Sequence, residues 1–146
     1  MLVRKAHAVW EGDLTRGRGQ MRLGSGAYEG TYSFQTRMED QPGTNPEELI
    51  GAALAGCFSM ALANGLAQAA EAPKRVSTDA EVYFEKQEGG WTLSRIDLTS
   101  EVEARGIDEE RFRAIAEQTK KTCPVSKALT GTEIRLEARL LSGATR

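Results

Sequence analysis

The stretch Asn45-Pro-Glu-Glu-Leu-Ile-Gly-Ala-Ala-Leu-Ala-Gly-Cys57-Phe-Ser-Met decides the fold, because it begins the longest uncharged run of the chain. Asn45 can cap a helix, Pro46 fits its first position, and two glutamates then face the positive end of the helix dipole. Residues 49–70 carry no charge, and Pro73 follows shortly after. The pattern therefore predicts a long helix that ends before Pro73.

A run of about 20 apolar residues is also long enough to cross a bilayer. Here the run is mostly Ala and Gly, and Ser59, Asn64 and Gln68 interrupt it. Ala and Gly supply little transfer free energy, so a buried helix of a soluble protein is the favoured interpretation and no membrane partner is expected.

The length of 146 residues predicts a single domain over 1–146, with an N-terminal hairpin region at about 1–40 and a core at about 45–141. The net charge of −2 argues against a nucleic-acid partner, which usually requires a basic face. The N-terminus lacks the apolar segment of a secretory signal, so a cytoplasmic location is expected.

Patterns on both sides of the long helix indicate strands. Glycine-rich turns and period-two alternation predict strands at residues 6–10, 17–23, 30–36, 76–85, 96–104 and 134–140. Asp108 caps a second helix, in which Phe112 and Cys123 are 11 residues apart, about three full turns. Cys123 should therefore point inward with the apolar stripe. Strands and helices in this order predict an α+β fold.

The chain has two cysteines, Cys57 and Cys123, which are 66 positions apart. This separation is too long for a local redox motif or a zinc knuckle, and suits a pair that folding brings together. In the cytosol such a pair is more often catalytic or metal-binding than structural. One histidine and two cysteines do not easily close a zinc site, so no metal is expected.

A reactive cysteine needs a nearby positive charge that stabilises its thiolate, and no cation lies within one helical turn of Cys57. Arg37 is the candidate, with Glu47 as the acid that orients it. Two plainer interpretations stay open: Arg37 as a solvent-exposed residue of an edge strand, and Glu47 as a residue that only stabilises the helix start.

Glu47 and Cys57 are about 15 Å apart along one helix and cannot meet on it. Two such helices packed antiparallel across a two-fold axis would bring Glu47 of one subunit towards Cys57 of the other. Small residues such as Ala53 and Gly56 would permit close packing. The expectation is a homodimer with active sites at the subunit interface.

Several segments of the chain resemble motifs of a known family. The segment Gly43-Thr-Asn-Pro-Glu47 with the helix through Cys57 is similar to the signature helix of the OsmC/Ohr family, and Cys123-Pro-Val-Ser resembles its second motif. Ala8-Val-Trp-Glu-Gly-Asp-Leu and Phe34-Gln-Thr-Arg37 resemble the OsmC branch. Met38 departs from the Phe that is common after this arginine, which puts the shape of the substrate site in doubt.

The resemblance implies an OsmC-like fold, in which antiparallel sheets wrap two central helices of an intertwined homodimer. It also implies a thiol-dependent peroxidase that reduces organic hydroperoxides to alcohols. Cys57 would be the peroxidatic cysteine and Cys123 the resolving one, joined in a disulfide during turnover. Arg37 would stabilise the thiolate and Glu47 would orient Arg37. No bound cofactor is implied; an external dithiol, dihydrolipoyl in the Ohr branch, would be the electron donor.

Two alternatives come from the residues alone. A cysteine hydrolase needs a histidine base, and the chain has only His7, in a predicted N-terminal strand. A dimeric ligand-binding protein or redox sensor without catalysis is the other alternative, since a fold does not determine function. Residue type also suggests that Phe34, Met38, Phe58 and Met60 form apolar walls favouring alkyl hydroperoxides.

Overall fold

The computed structural model describes residues 1–141, and the chain divides into one unit of Met1–Leu49 and a second that begins at Ile50. The first unit holds an antiparallel sheet with strand order β1-β2-β3 and a short helix. Its elements are β1 (Ala6–Glu11), β2 (Arg18–Leu23), β3 (Glu29–Tyr32) and α1 (Phe34–Met38). The single domain stays a prediction, and its last residues, 142–146, lie outside the described residues.

The predicted strand at 30–36 is wrong beyond Tyr32, because Ser33 starts α1. The Thr36 N–H donates to the Ser33 hydroxyl at 3.2 Å, and the Ser33 N–H donates to the Thr36 hydroxyl at 2.8 Å. This reciprocal capping satisfies two donors at the helix start. It outweighs the strand preference of the aromatic and β-branched residues around it, and it places Arg37 on a helix instead of an edge strand.

The long helix α2 (Pro46–Ala69) begins and ends as predicted. The Glu48 N–H donates to Asn45 Oδ1 at 2.8 Å, which is the expected cap. Glu47 and Glu48 lie in the first turn.

The second unit contains α2 from Ile50 onward, a three-stranded sheet and two further helices. These elements are β4 (Arg75–Gln87), β5 (Gly90–Glu103), α3 (Glu109–Thr122), α4 (Pro124–Ala128) and β6 (Glu133–Leu140). β4 pairs antiparallel with β5, but β6 pairs parallel with β5. This sheet is therefore mixed, because the α3–α4 crossover returns the chain to the end from which β5 started. The α+β class is confirmed.

The core of the second unit lies between α2 and the sheet. One stripe of α2, spaced at four-residue intervals, is fully buried: Leu54, Phe58, Leu62 and Leu66. Two glycines of α2 allow neighbouring elements to pack close to the helix. A Cβ at Gly51 would lie 3.0 Å from Val82 of β4, and one at Gly65 would lie 3.0 Å from Ile115 of α3.

A chain of hydroxyls ties α2 to the same sheet. The Ser59 hydroxyl donates to Thr78 of β4 at 2.7 Å, and Thr78 is 3.0 Å from the hydroxyl of Ser100 on β5. Ser100 is fully buried, so this directional contact fixes how α2 is rotated on the sheet.

The opposite face of α2 is exposed and largely apolar or small. Its exposed residues at helical spacing are Ala53, Gly56, Met60, Asn64 and Ala67. α2 has the length and composition of a membrane span, and 28% of its most apolar window is buried. Because four apolar side chains of α2 are already buried on the sheet, the exposed face fits packing against another protein surface at least as well as against lipid.

The core stripe generates a stability prediction. Leu62→Ala should lower the free energy of unfolding by about 2–5 kcal/mol, because it leaves a cavity between α2 and the sheet. Leu14→Ala removes the same atoms from a side chain that is 65% exposed, and should change stability by about 0.5 kcal/mol or less. Urea unfolding of both variants checks this; equal losses would contradict the described core.

Candidate active site

The position of Cys123 follows from the proline after it. A residue before proline is driven out of the helical region, and Cys123 has φ −61° and ψ 138°. α3 therefore ends at Thr122, and the Cys123 N–H still donates to the Thr119 carbonyl at 3.0 Å. Pro124 needs no hydrogen bond at the first position of α4. Cys123 thus ends one helix and caps the next.

The Cys123 sulfur is held by Ser126, three residues ahead. The Ser126 N–H donates to Sγ at 3.4 Å, and the Ser126 hydroxyl oxygen lies 3.0 Å from Sγ. Cys123 is 1% exposed and Ser126 is 6% exposed. Cys123 therefore points inward, as the 11-residue spacing predicts, and its sulfur is away from solvent.

Cys57 lies on the flank of α2, between the buried stripe and the exposed face, and is half-buried. The Cys123 thiol and the Val125 N–H in the first turn of α4 both lie close enough to the Cys57 thiol to act on its pKa. Both cysteines are free thiols. Folding thus brings together two thiols that are 66 positions apart in the chain.

Burial raises the pKa of the Cys57 thiol, because the apolar surroundings disfavour a charged sulfur. The Val125 N–H acts in the opposite direction, and the hydrogen bond and charge of Cys123 add to the rise. The net direction is upward. The groups around Cys57 in its own unit therefore favour the thiol, and a thiolate there needs a further positive charge.

Arg37 and Glu47 form the second candidate pair, within the first unit. Arg37 Nε–H donates to Glu47 Oε1 at 2.7 Å. The Glu47 side chain is 9% exposed and that of Arg37 is 38% exposed, so the acid is fixed and the guanidinium still reaches solvent. Glu47 does more than stabilise the helix start.

The chain between α1 and α2 holds this pair in place. The Asn45 side-chain amide donates to the Thr36 carbonyl at 3.4 Å, and the Thr44 N–H donates to the Thr31 carbonyl at 3.0 Å. Gly43 has φ 142°, and a Cβ there would lie 2.7 Å from Thr36 Cγ2. Only glycine suits this tight return, which brings the first turn of α2 beside α1.

The described residues therefore contain two pairs, Cys57 with Cys123 and Arg37 with Glu47, each within its own unit. His7 lies on β1, whose residues are all exposed. Phe58 is fully buried in the core, so the expectation that it forms a substrate wall is wrong. Because Ala and Gly residues flank Phe58 in the sequence, the pattern does not indicate which face of α2 is buried.

Sequence reasoning missed Ser126 and Val125 as partners of the two sulfurs. The signal for Ser126 was present, because a side chain that caps a helix commonly accepts from the N–H three residues later. Local sequence does not predict that Val125 lies near Cys57, because the two residues belong to different helices, α4 and α2. Among residues 1–141, no group of three or more His, Cys, Asp and Glu side chains could hold a metal ion.

A groove of about 590 Å³ lies between α2 and α3, lined by residues that include Asn64, Gln68 and Gln118. Neither cysteine lines it. The thiol pair therefore lies outside this groove.

Comparison with known proteins shows the family of this chain. The family model described as "OsmC-like protein" matches residues 38–138, and the chain belongs to this family. It is 45% identical to Peroxiredoxin OsmC of Escherichia coli strain K12 over 140 residues, which is 95% of this chain and 97% of that protein. It is 30% identical to the organic hydroperoxide resistance protein OhrB of Bacillus subtilis, over 70% of this chain and 75% of that one.

Solved structures share the fold. The crystal structure of OhrB of Bacillus subtilis superposes with a TM-score of 0.73 at 24% identity, covering 92% of this chain and 98% of that one. An organic hydroperoxide resistance protein OsmC from Legionella pneumophila gives 0.74 at 21% identity, covering 94% and 98%. The predicted OsmC-like fold is confirmed. The expectation of purely antiparallel sheets is wrong for β6, which pairs parallel with β5, and the intertwined homodimer stays a prediction.

The thiol contact generates a pH prediction. Cys123→Ala should lower the pKa of Cys57, because Cys123 contributes to its rise. The pH at which iodoacetamide alkylates Cys57 at half its maximal rate should then move downward. Cys123→Ser keeps a polar partner without an ionisable thiol, and should give a smaller shift in the same direction. Mass spectrometry of alkylated peptides measures both; an upward shift would contradict the described contact.

Proposed function

We propose that this chain is a thiol-dependent peroxidase that reduces organic hydroperoxides to alcohols, with Cys57 as the peroxidatic cysteine and Cys123 as the resolving one. The observation that carries the proposal is that folding makes the two free thiols neighbours. Burying two cysteines from distant elements against each other suits a pair that alternates between thiols and a disulfide.

In the first step the Cys57 thiolate attacks the distal oxygen of the hydroperoxide. The O–O bond breaks, an S–O bond forms, and the alkoxide leaves as an alcohol after taking a proton. Cys57 is then a sulfenic acid, oxidised by two electrons. The half-buried position of Cys57 supports this role, because a hydroperoxide can reach it more easily than Cys123, which is 1% exposed.

In the second step the Cys123 sulfur attacks the Cys57 sulfur. An S–S bond forms, the S–O bond breaks, and the hydroxide leaves as water with one proton. An external dithiol then restores both thiols by exchange and is itself oxidised to a disulfide. A dihydrolipoyl group is the donor that the family resemblance suggests. The chemistry requires no prosthetic group.

The raised pKa of Cys57 requires a cation for the first step, and Arg37 is our proposal for it. Its guanidinium is oriented by Glu47 and keeps a solvent-facing part, which suits a group that must reach a sulfur and a developing alkoxide. We propose that Arg37 and Glu47 serve Cys57 of a partner subunit.

Two features support a homodimer. α2 exposes a face of small and apolar residues. Every residue of β1 is exposed, including Val9 and Trp10, so the first unit buries little apolar surface by itself. A second copy of the chain would cover such surfaces. A cytoplasmic location stays a prediction.

The names of the relatives support the substrate class. The chain is similar to a protein named Peroxiredoxin OsmC and to proteins named for organic hydroperoxide resistance. Met60 lies one turn beyond Cys57 and is 80% exposed, and Met38 follows Arg37 directly. Such apolar side chains would favour alkyl hydroperoxides over hydrogen peroxide.

One equivalent of cumene hydroperoxide tests the proposal directly. Intact mass and thiol titration should show the loss of both thiols and a Cys57–Cys123 disulfide, because the two sulfurs are already in contact. Cys123→Ser should stop at a sulfenic acid that dimedone traps on Cys57. Two persistent thiols in the unaltered protein, with no change in mass, would leave the ligand-binding alternative. Sustained turnover with a dithiol separates an enzyme from a single-use sensor.

A mixed dimer tests where Arg37 acts. Arg37→Ala alone should lower kcat/KM for the hydroperoxide by about 10²–10³-fold, as for loss of one group that stabilises developing negative charge. Cys57→Ser alone should be inactive. A dimer with one subunit of each kind keeps one intact site if Arg37 acts on the partner subunit, and should regain about half of the activity.

The matched control for this experiment is Arg16→Ala, which removes an exposed arginine paired with Asp13. It should leave kcat/KM unchanged. A mixed dimer without activity would mean that Arg37 does not act across subunits.

A further inference from the structure

Ser126 contacts a reacting atom, and the two-cysteine chemistry by itself gives it no role. Its hydroxyl oxygen is 3.0 Å from Cys123 Sγ, and its N–H donates to the same sulfur at 3.4 Å. One buried residue therefore presents two polar groups to one sulfur. Both groups can donate to the sulfur when negative charge develops on it during reaction, and hydrogen bonds to a charged acceptor are stronger than those to a neutral one.

The two sulfurs also differ in access. Cys123 is 1% exposed, and Cys57 is half-buried. A dithiol from solvent reaches the Cys57 sulfur first. In thiol–disulfide exchange the sulfur that is not attacked must leave, and it leaves faster when its thiolate is stabilised.

We infer that Ser126 is a positioning residue that orients the Cys123 sulfur and donates to it as negative charge develops there, which assists Cys123 as the nucleophile in the resolving step and as the leaving group in the reducing step. The inference rests on the proposed peroxidase function. Cys57 is then the sulfur that exchanges with the external dithiol, and Cys123 forms no bond with it.

Both steps balance. In the resolving step the Cys123 thiolate forms the S–S bond and hydroxide leaves Cys57, taking a proton to become water. In the reducing step one thiolate of the dithiol attacks Cys57, the S–S bond breaks, and the Cys123 thiolate leaves with the electron pair. The second thiol of the donor then attacks the mixed disulfide and releases Cys57, which completes the two-electron reduction.

The test compares Ser126→Ala with Ser126→Thr, which keeps the hydroxyl. Ser94→Ala is the matched control, because it also removes a serine hydroxyl of the second unit, one that donates to the Tyr83 carbonyl at 3.5 Å. Single turnovers with one equivalent of cumene hydroperoxide are quenched at intervals with dimedone and an alkylating agent, and intact mass follows each species. Thermal melting confirms that each variant is folded.

In Ser126→Ala the sulfenic acid should form at the rate of the unaltered protein. Disulfide formation should be about tenfold slower, since a hydrogen bond to a charged group is lost. Ser126→Thr should restore most of the rate, and Ser94→Ala should resolve normally.

The reducing step is tested on disulfide prepared with diamide, so that it does not depend on the peroxide reaction. Dithiothreitol should reduce Ser126→Ala about tenfold more slowly. A monothiol should form its mixed disulfide on Cys57.

Normal resolution and reduction in Ser126→Ala would overturn the inference, and so would a Ser126→Thr variant as slow as Ser126→Ala or a mixed disulfide on Cys123. Failure of the proposed function looks different. The unaltered protein would then form no sulfenic acid, and the inference would fall with it.

Discussion

The packing of α2 on the β4–β5–β6 sheet is the constraint on which the second unit depends. Four apolar side chains at four-residue intervals, from Leu54 to Leu66, are fully buried, and the hydroxyl chain from Ser59 to Ser100 fixes the rotation. Once that face is fixed, the position of every other α2 side chain follows. Cys57 falls on the flank, where α4 and Cys123 meet it, and the small residues are left outward.

This packing also disfavours a thiolate at Cys57. Burial raises the pKa of the Cys57 thiol, and a neighbouring thiol raises it further. The Val125 N–H opposes both and does not outweigh them. A peroxidatic role therefore needs a positive charge in addition to the groups that act on the pKa of Cys57. Our proposal assigns this charge to Arg37, which donates to the buried Glu47 at 2.7 Å in the first unit.

Much of this structure is predictable from local sequence, because caps and periodicity act over a few residues. Asn45 and Asp108 start α2 and α3 where the sequence indicates, and the spacing from Phe112 turns Cys123 inward. Three features were harder to predict. The capping of α1 is local, but it competes with the strand preference of its β-branched neighbours. The direction of β6 depends on a long crossover, and the Ala and Gly residues of α2 do not indicate which of its sides is buried. The contact between the cysteines depends on all of this packing.

The same turn that buries Cys123 distinguishes the two sulfurs chemically. Pro124 forces Cys123 out of α3, and the first turn of α4 then offers the Val125 N–H to Cys57 and the Ser126 N–H to Cys123. The Cys123 sulfur also lies beside the Ser126 hydroxyl and is almost fully buried. Cys57 keeps access to solvent but receives fewer polar partners within the unit. An accessible sulfur, whose thiolate must be stabilised by a cation from outside its own unit, suits attack on a substrate. A buried sulfur with hydrogen-bond donors beside it suits the resolving and leaving roles.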